Sequence, residues 1–302
     1  MTGTVLILGA NGRFGRNAAQ AFDAAGWTVR RYDRGRDDLA RSARGADVIV
    51  NSWNPIYPDW SDQVPVQTRR VIDAAAETGA TVLIPGNVYV FGQQTPAPWS
   101  GASPHLARNT LGRVRIEMEK AYAGSRVRTI VLRCGDFIDT TASGNWFDRV
   151  LIRRLEQGVF TYPGDPDIPH AWAYLPDVAR AAVLLCEMRD RLAAFSDIPF
   201  GGYTLTGREI AAGLSRVTDT DIRLKRFSYV PVYAAMPFWR MARHLLETRY
   251  LWTTPHWLDS SAFETLMPEF RHTPVNQALA SASPAGRPTP KPHPRQPAAA
   301  GQ

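Results

Sequence analysis

Three glycines mark the most chemically specific stretch of the chain, Gly9-Ala10-Asn11-Gly12-Arg13-Phe14-Gly15. They stand at i, i+3 and i+6, directly behind the apolar run Val5 to Leu8 and directly ahead of a helical pattern. In that setting each glycine has a separate task. Gly9 permits the tight turn, Gly12 lets a pyrophosphate approach the backbone, and Gly15 lets the helix lie close to the sheet. The N–H groups and dipole at the helix start then face the phosphates. Asn11, Arg13 and Phe14 complete the loop as candidate cofactor-binding positions.

Asp33 lies 24 residues after Gly9, at the end of the second apolar run. A carboxylate there accepts hydrogen bonds from the adenosine ribose hydroxyls and repels a 2′-phosphate, which favours NAD. Arg34 and Arg36 follow it, and Arg13 offers a guanidinium inside the loop, so the preference for NAD over NADP is slight. Asn51 and Trp53, with Asn54, follow the third apolar run, where adenine and ribose pass.

These residues need a frame, and residues 4–133 supply one. Strands are predicted at Val5–Leu8, Thr28–Tyr32, Asp47–Asn51, Thr81–Pro85 and Thr129–Arg133. Helices are predicted at Arg13–Ala25, Ser61–Thr78 and Arg113–Ala123. Alternating helices and nearly all-apolar strands imply an α/β fold, a doubly wound Rossmann-type parallel sheet covered on both faces. Residues 93–104 read as a loop at the ligand end. Further on, helices fit Trp146–Gln157, Val178–Met188 and Arg208–Val217, and a strand fits Tyr203–Thr206. The expected organisation is one unit over 1–281, with a small C-terminal substrate lobe formed mainly by about 135–175 and 200–281. A Pro-rich tail, 282–302, is expected to be disordered.

Composition narrows the function. The chain has 302 residues, 44% of them hydrophobic, enough for a large core. No apolar run approaches the roughly 20 residues of a membrane-spanning helix. Three of the seven net positive charges lie in the tail, on Arg287, Lys291 and Arg295. The rest are spread among acids, which argues against specific nucleic-acid binding. Two cysteines and an N-terminus that runs straight into the first strand suggest a cytoplasmic protein. A small-molecule substrate and a homodimer are the expected partners. The aromatic stretch Tyr233 to Trp252, with Arg240, Arg243 and Arg249 interleaved, reads as a packed lobe helix interrupted at Pro237, or as a surface for a partner or membrane interface.

Alongside the glycine loop and Asp33, the segments Gly86-Asn87-Val88-Tyr89-Val90-Phe91-Gly92 and Tyr174-Leu175-Pro176-Asp177-Val178-Ala179 carry a family resemblance. Over roughly residues 3–280 the chain resembles the extended and atypical short-chain dehydrogenases/reductases, the NAD(P)-dependent epimerase/dehydratase group. The resemblance implies a serine or threonine and a Tyr-x-x-x-Lys pair, and this chain departs from both. Asn87 stands at the serine. With Glu117 taken as the glutamate that follows the lysine, Arg113 falls at the lysine and Asn109 at the tyrosine. No Tyr-x-x-x-Lys occurs in the chain, which has only three lysines.

An asparagine has no proton to release near neutral pH, and an arginine stays protonated. The acid must then come from elsewhere. Tyr89, two residues after Asn87, is the first candidate, and His105 is a second. On the substrate side, His170 replaces an arginine that contacts a nucleotide-sugar phosphate in the family. Asp136 follows the fifth strand at the end that faces the ligand. Asp177 is expected to cap the helix after it. The resulting expectation is an NAD(P)-dependent oxidoreductase or epimerase-like enzyme acting on a small carbonyl or hydroxyl substrate through a non-standard site. The alternative is a non-catalytic NAD(P)-binding sensor or scaffold.

Overall fold

The structure, a computed structural model, describes residues 2–286. Its chain order is β1 (Thr4–Leu8), α1 (Arg13–Ala24), β2 (Thr28–Tyr32), α2 (Leu39–Ala43), β3 (Val48–Asn51), α3 (Trp60–Thr78), β4 (Thr81–Gly86), α4 (Thr110–Ala123), β5 (Thr129–Arg133) and β6 (Asp136–Ile138). Then follow β7 (Val159–Tyr162), β8 (His170–Tyr174), α5 (Leu175–Glu187), β9 (Phe195–Pro199), β10 (Tyr203–Leu205), α6 (Gly207–Thr218) and β11 (Arg223–Arg226). The last elements are α7 (Val230–Ala235), α8 (Arg240–Glu247), α9 (Ser261–Leu266) and α10 (Val275–Ala282).

Six parallel strands form the main sheet in the order β2-β1-β3-β4-β5-β9. This is the doubly wound arrangement, with the switch point between β1 and β3. Among the described residues no strand lies outside β2, and the short α2 leads directly back to β3. The period of two along each strand divides the core. Leu6, Leu8, Ile49, Val82 and Ile84 pack under α3 and α4, while Val5, Ile7, Val48, Val50 and Leu83 pack under α1 and α5. Gly79, at φ +74°, ends α3 as a left-handed glycine cap.

Two smaller sheets, β10-β8-β6 and β11-β7, surround a third core. Here one expected element takes a different form. The helix expected at Trp146–Gln157 is instead a π-helical turn, Phe147–Leu151, and a 3-10 turn, Leu155–Gln157. The Asp148 carboxylate accepts from the backbone N–H of Ser143 (2.7 Å) and Gly144 (3.0 Å), which holds the chain start off the α-helical path. Strand β9, to which the sequence pattern assigns no element, ends in Asp-Ile-Pro and completes the main sheet. The helix of the Tyr-Leu-Pro-Asp-Val segment begins at Leu175, with Pro176 in its first turn, where a missing N–H costs nothing. Of the expected Pro-rich tail, 282–286 finish α10 and form a 3-10 turn, and the remainder lies outside the described residues.

Candidate functional site

The glycine loop sits on the switch point, and the geometry explains each glycine. Gly9 has φ +76°, and a Cβ there would come within 2.9 Å of the Ser52 carbonyl oxygen. A Cβ on Gly15 would stand 2.2 Å from the Gly9 oxygen and 2.6 Å from Ser52 Oγ. Gly12 has only the Gly9 oxygen nearby, at 3.1 Å, and is open on its outer side. No side chain caps α1, so the first-turn N–H groups face that open side. An uncapped helix start beside an exposed glycine loop fits a dinucleotide pyrophosphate.

The neighbouring candidates fare differently. Asn11 is exposed at the loop tip, and Phe14 is buried in the core between α1 and the sheet, a structural role rather than a cofactor contact. The Arg13 guanidinium donates from Nε and Nη2 to the carbonyls of Ser143 and Gly144, each at 3.0 Å, so it ties the loop to the lobe instead of standing free for a phosphate. Asn51 is also corrected: buried, it donates to the Tyr122 hydroxyl at 3.0 Å, because the alternation of β3 turns it toward α4. Next to it, Ser52 donates to the Leu8 carbonyl at 2.5 Å and ties the start of the glycine loop to β3. Trp53 is half-buried, edge-on to Tyr32 at 5.4 Å. Asp33 and Arg34 are exposed beyond β2, and Asp33 Oδ1 accepts from Gly35 N at 2.9 Å.

At the end of β4, Asn87 Oδ1 accepts from Tyr89 N at 3.0 Å and so caps the 3-10 turn Val88–Val90. That turn places Tyr89 under the loop, 8% exposed, with its hydroxyl 2.7 Å from the hydroxyl of Tyr57. Tyr57 comes from the 3-10 turn Tyr57–Asp59 after β3, and the Trp60 ring packs against both tyrosines. Burial pushes both phenols above the usual tyrosine range, and the Asp136 carboxylate pushes in the same direction. Both are therefore protonated at neutral pH. Tyr250 donates to the Tyr89 carbonyl at 3.4 Å, and burial pushes its own phenol up to about 12.

The residues of helix α4 expected from the resemblance, Asn109 and Arg113, lie at its N-cap and on its exposed side. Asn109 is the N-cap, its Oδ1 accepting from Gly112 N at 2.7 Å, and Arg113 is exposed on the rim of the groove between α3 and α4. Asn109 also bonds through its side chain to the Tyr250 phenol that reaches the Tyr89 carbonyl, so it borders the tyrosine cluster, whereas Arg113 points away from it. The inward residues are Leu111, Arg115, Glu119 and Tyr122, at helical spacing. Arg115 donates to Asn54 Oδ1 at 2.7 Å and lies 4.0 Å over the Trp60 ring. Arg115 thus occupies the inward place one turn ahead of Glu119, and Leu111 the place one turn earlier.

The two substrate-side candidates meet. In the neighbouring strands β6 and β8, His170 Nε2 donates to Asp136 Oδ2 at 2.8 Å. His170 is 1% exposed, stacked on Trp252 at 4.6 Å and edge-on to His256 at 4.3 Å. Asp136 is the exposed end of the pair. His256 stacks on Trp99 and hydrogen-bonds Thr254 O through Nδ1 at 2.8 Å. Burial, with His170 adding to it, holds its imidazole well below the usual histidine range. His170 Nδ1 and His256 Nε2 are buried without a hydrogen-bond partner among the described residues.

His105 belongs to a different cluster. Its Nδ1 stands 3.7 Å from Glu119, beside the fully buried Arg133. Arg133 pairs with Glu119 (2.8 Å) and Asp197 (2.5 Å) and donates to the Asn87 carbonyl (2.6 Å). His105, Glu119 and Asp197 offer atoms within 4.8 Å of one another, a spacing suited to a metal, but the Arg133 guanidinium already supplies the cation there. Asp177 is no helix cap either. It accepts from Thr273 N (2.6 Å) and Thr273 Oγ1 (2.7 Å), fastening the C-terminal segment to α5.

No protein-family model matches the sequence, and no curated protein does. Solved structures match the fold. A UDP-N-acetylglucosamine 4-epimerase from Bacillus cereus superposes with a TM-score of 0.73 at 14% identity, over 95% of this chain and 100% of the other. MoeE5 in complex with UDP-glucose and NAD superposes at 0.71 with 17% identity, over 93% and 97%. A UDP-glucose 4-epimerase from Brucella ovis in complex with NAD gives 0.71 and 16%, over 94% and 99%. At such identities the likeness speaks for architecture. The chain has the Rossmann-like fold of the NAD-dependent sugar-nucleotide epimerases and dehydratases, as the resemblance implied.

Proposed function

We propose that this chain is an NAD-dependent enzyme of the epimerase/dehydratase kind, moving a hydride at a hydroxyl- or carbonyl-bearing carbon of a small substrate. The observation that carries the reading is the pair of touching tyrosine hydroxyls, close enough to Asp136 to feel its charge, with His170 behind it. Gly9, Gly12, Gly15 and the start of α1 would hold the pyrophosphate, and Asp33 the adenosine ribose. The neighbours solved with NAD favour NAD over NADP. When bound, the dinucleotide accepts or supplies the hydride.

The chain's own residues manage the proton. Because both phenols stay protonated, Tyr57 donates its proton to a developing alkoxide, and the Tyr89 hydroxyl donates to the oxygen left behind. The oxidising direction retraces the same path: Tyr57, once it has given up its proton, takes the one from the substrate hydroxyl while Tyr89 donates to it, and His170 holds the Asp136 carboxylate in place by donating from Nε2. His170 cannot match an arginine as a phosphate partner, which favours a substrate held by hydrogen bonds.

Thermal-shift measurements with NAD, NADH, NADP and NADPH test the cofactor, with the largest stabilisation expected from the NAD pair. Absence of a shift with all four rejects the reading. One observation favours a second reading, a non-catalytic dinucleotide sensor: Asn109, which has no proton to give, caps α4 where the resemblance expects the tyrosine, and both phenols are shifted upward. Dinucleotide binding without nicotinamide absorbance change across a panel of hydroxyl and carbonyl sugars would select it.

A further inference from the structure

The α7–α8 hairpin presents apolar side chains that nothing in the fold covers. Phe238 is 92% exposed and Val230 73%, with Tyr233, Met236 and Trp239 about half exposed beside them. The hairpin does not need them for its own packing, since Tyr229, Val232 and Ala242 form a separate small core beneath. Phe238 and Trp239 sit at the bend between the two helices, so the most exposed apolar groups form a tip.

Charge surrounds this tip. Residues 223–249 contain six Lys or Arg and one acid, Glu247, a net charge of +5. Arg240 is paired with Asp59 and Arg243 with Glu247. Arg223, Lys225, Arg226 and Arg249 have no carboxylate partner among the described residues. Five apolar groups within ten residues, with Arg226 and Arg249 beside Val230 and Tyr233, match the side-chain set of an interfacial element, in which aromatic rings enter the headgroup boundary and guanidinium groups meet lipid phosphates. A second copy of the chain is a poor occupant, because a two-fold contact would set one basic ring against another.

We infer that the α7–α8 hairpin docks this protein on an anionic lipid bilayer, with Phe238 and Trp239 inserted and the surrounding arginines on the headgroups. The site proposed above does not depend on this contact, and its residues lie outside the tip.

Co-sedimentation of the full chain with vesicles tests the inference, comparing phosphatidylcholine alone with phosphatidylcholine plus phosphatidylglycerol. Binding is expected only to the anionic vesicles and should weaken with added salt. The double variant Phe238→Asp/Trp239→Asp should lower partitioning at least tenfold while its thermal melting and dinucleotide shift stay as in the parent. A second variant, Lys225→Glu/Arg226→Glu, should also lose binding and serves if the first melts early. No binding to anionic vesicles, or binding unchanged in both variants, overturns the inference. Retention by soluble polyglutamate without vesicle binding overturns it in favour of an acidic protein partner.

Discussion

The hydroxyl oxygens of Tyr57 and Tyr89 lie 2.7 Å apart, although the two residues come from turns after different strands, β3 and β4. Only one of two hydroxyls in such a bond can donate to the other, so one O–H proton remains for a third group. Tyr57→Phe and Tyr89→Phe should each slow turnover tenfold or more and leave the dinucleotide thermal shift intact. Each also strands a buried partner, costing about 1–2 kcal/mol of stability by urea denaturation. An unchanged rate in both variants removes the pair from the mechanism.

Gly12 and Gly15 should separate binding from folding. Gly15→Ala places a methyl 2.2 Å from the Gly9 oxygen, where backbone must move, so the ligand-free protein should lose about 1–3 kcal/mol. Gly12→Val projects into the open side of the loop and should leave ligand-free melting nearly unchanged while abolishing the NAD shift. The reverse pattern would contradict the loop assignment.

Arg133 neutralises Glu119 and Asp197 at the centre of the fold. Arg133→Met leaves two buried carboxylates facing each other, a loss of about 3–5 kcal/mol. In a domain of this size that lowers the melting temperature by roughly 10 °C. The loss should shrink at acid pH, where the carboxylates can protonate; a melting temperature within a degree or two of the parent would show that the cluster contributes little.

The imidazoles of His256 and His105 are held below the usual histidine range by burial, so the folded protein resists protons that the unfolded chain accepts. The sign follows: stability is constant above the unfolded pKa of about 6.5 and falls as pH drops below it, by up to about 1.4 kcal/mol per pH unit for each such histidine. His256→Gln should flatten this slope between about pH 6.5 and pH 5 in urea titrations. A parent whose stability is flat over that window contradicts the burial of a neutral His256.

The glycine loop was legible in the sequence because its requirements are local: a positive φ at Gly9 and a contact too close for a Cβ at Gly15. Asp136 and His170 were legible one at a time, from their places after strands, but their pairing depends on β6 and β8, strands of three and five residues without a clear apolar alternation. Tyr57 was not legible, since only the turn after β3 carries it across to Tyr89. That Arg115 and Glu119 point inward is legible from Leu111, Ile116, Met118 and Tyr122, the apolar face of α4.

The sheet stops at β2, which leaves a row of backbone donors and acceptors at its border. Arg30 answers part of that exposure by donating to the carbonyls of Arg44 at 2.7 Å and of Ser42 and Gly45 at 3.4 Å, folding the α2 segment along the border. Arg31 adds a second charge on the same short strand. A foreign strand seeking to extend the sheet would meet that segment and the two like charges on opposite faces of the border strand. The arginines of β2 thus act as guards against self-association, a duty that an additional outer strand would have made unnecessary.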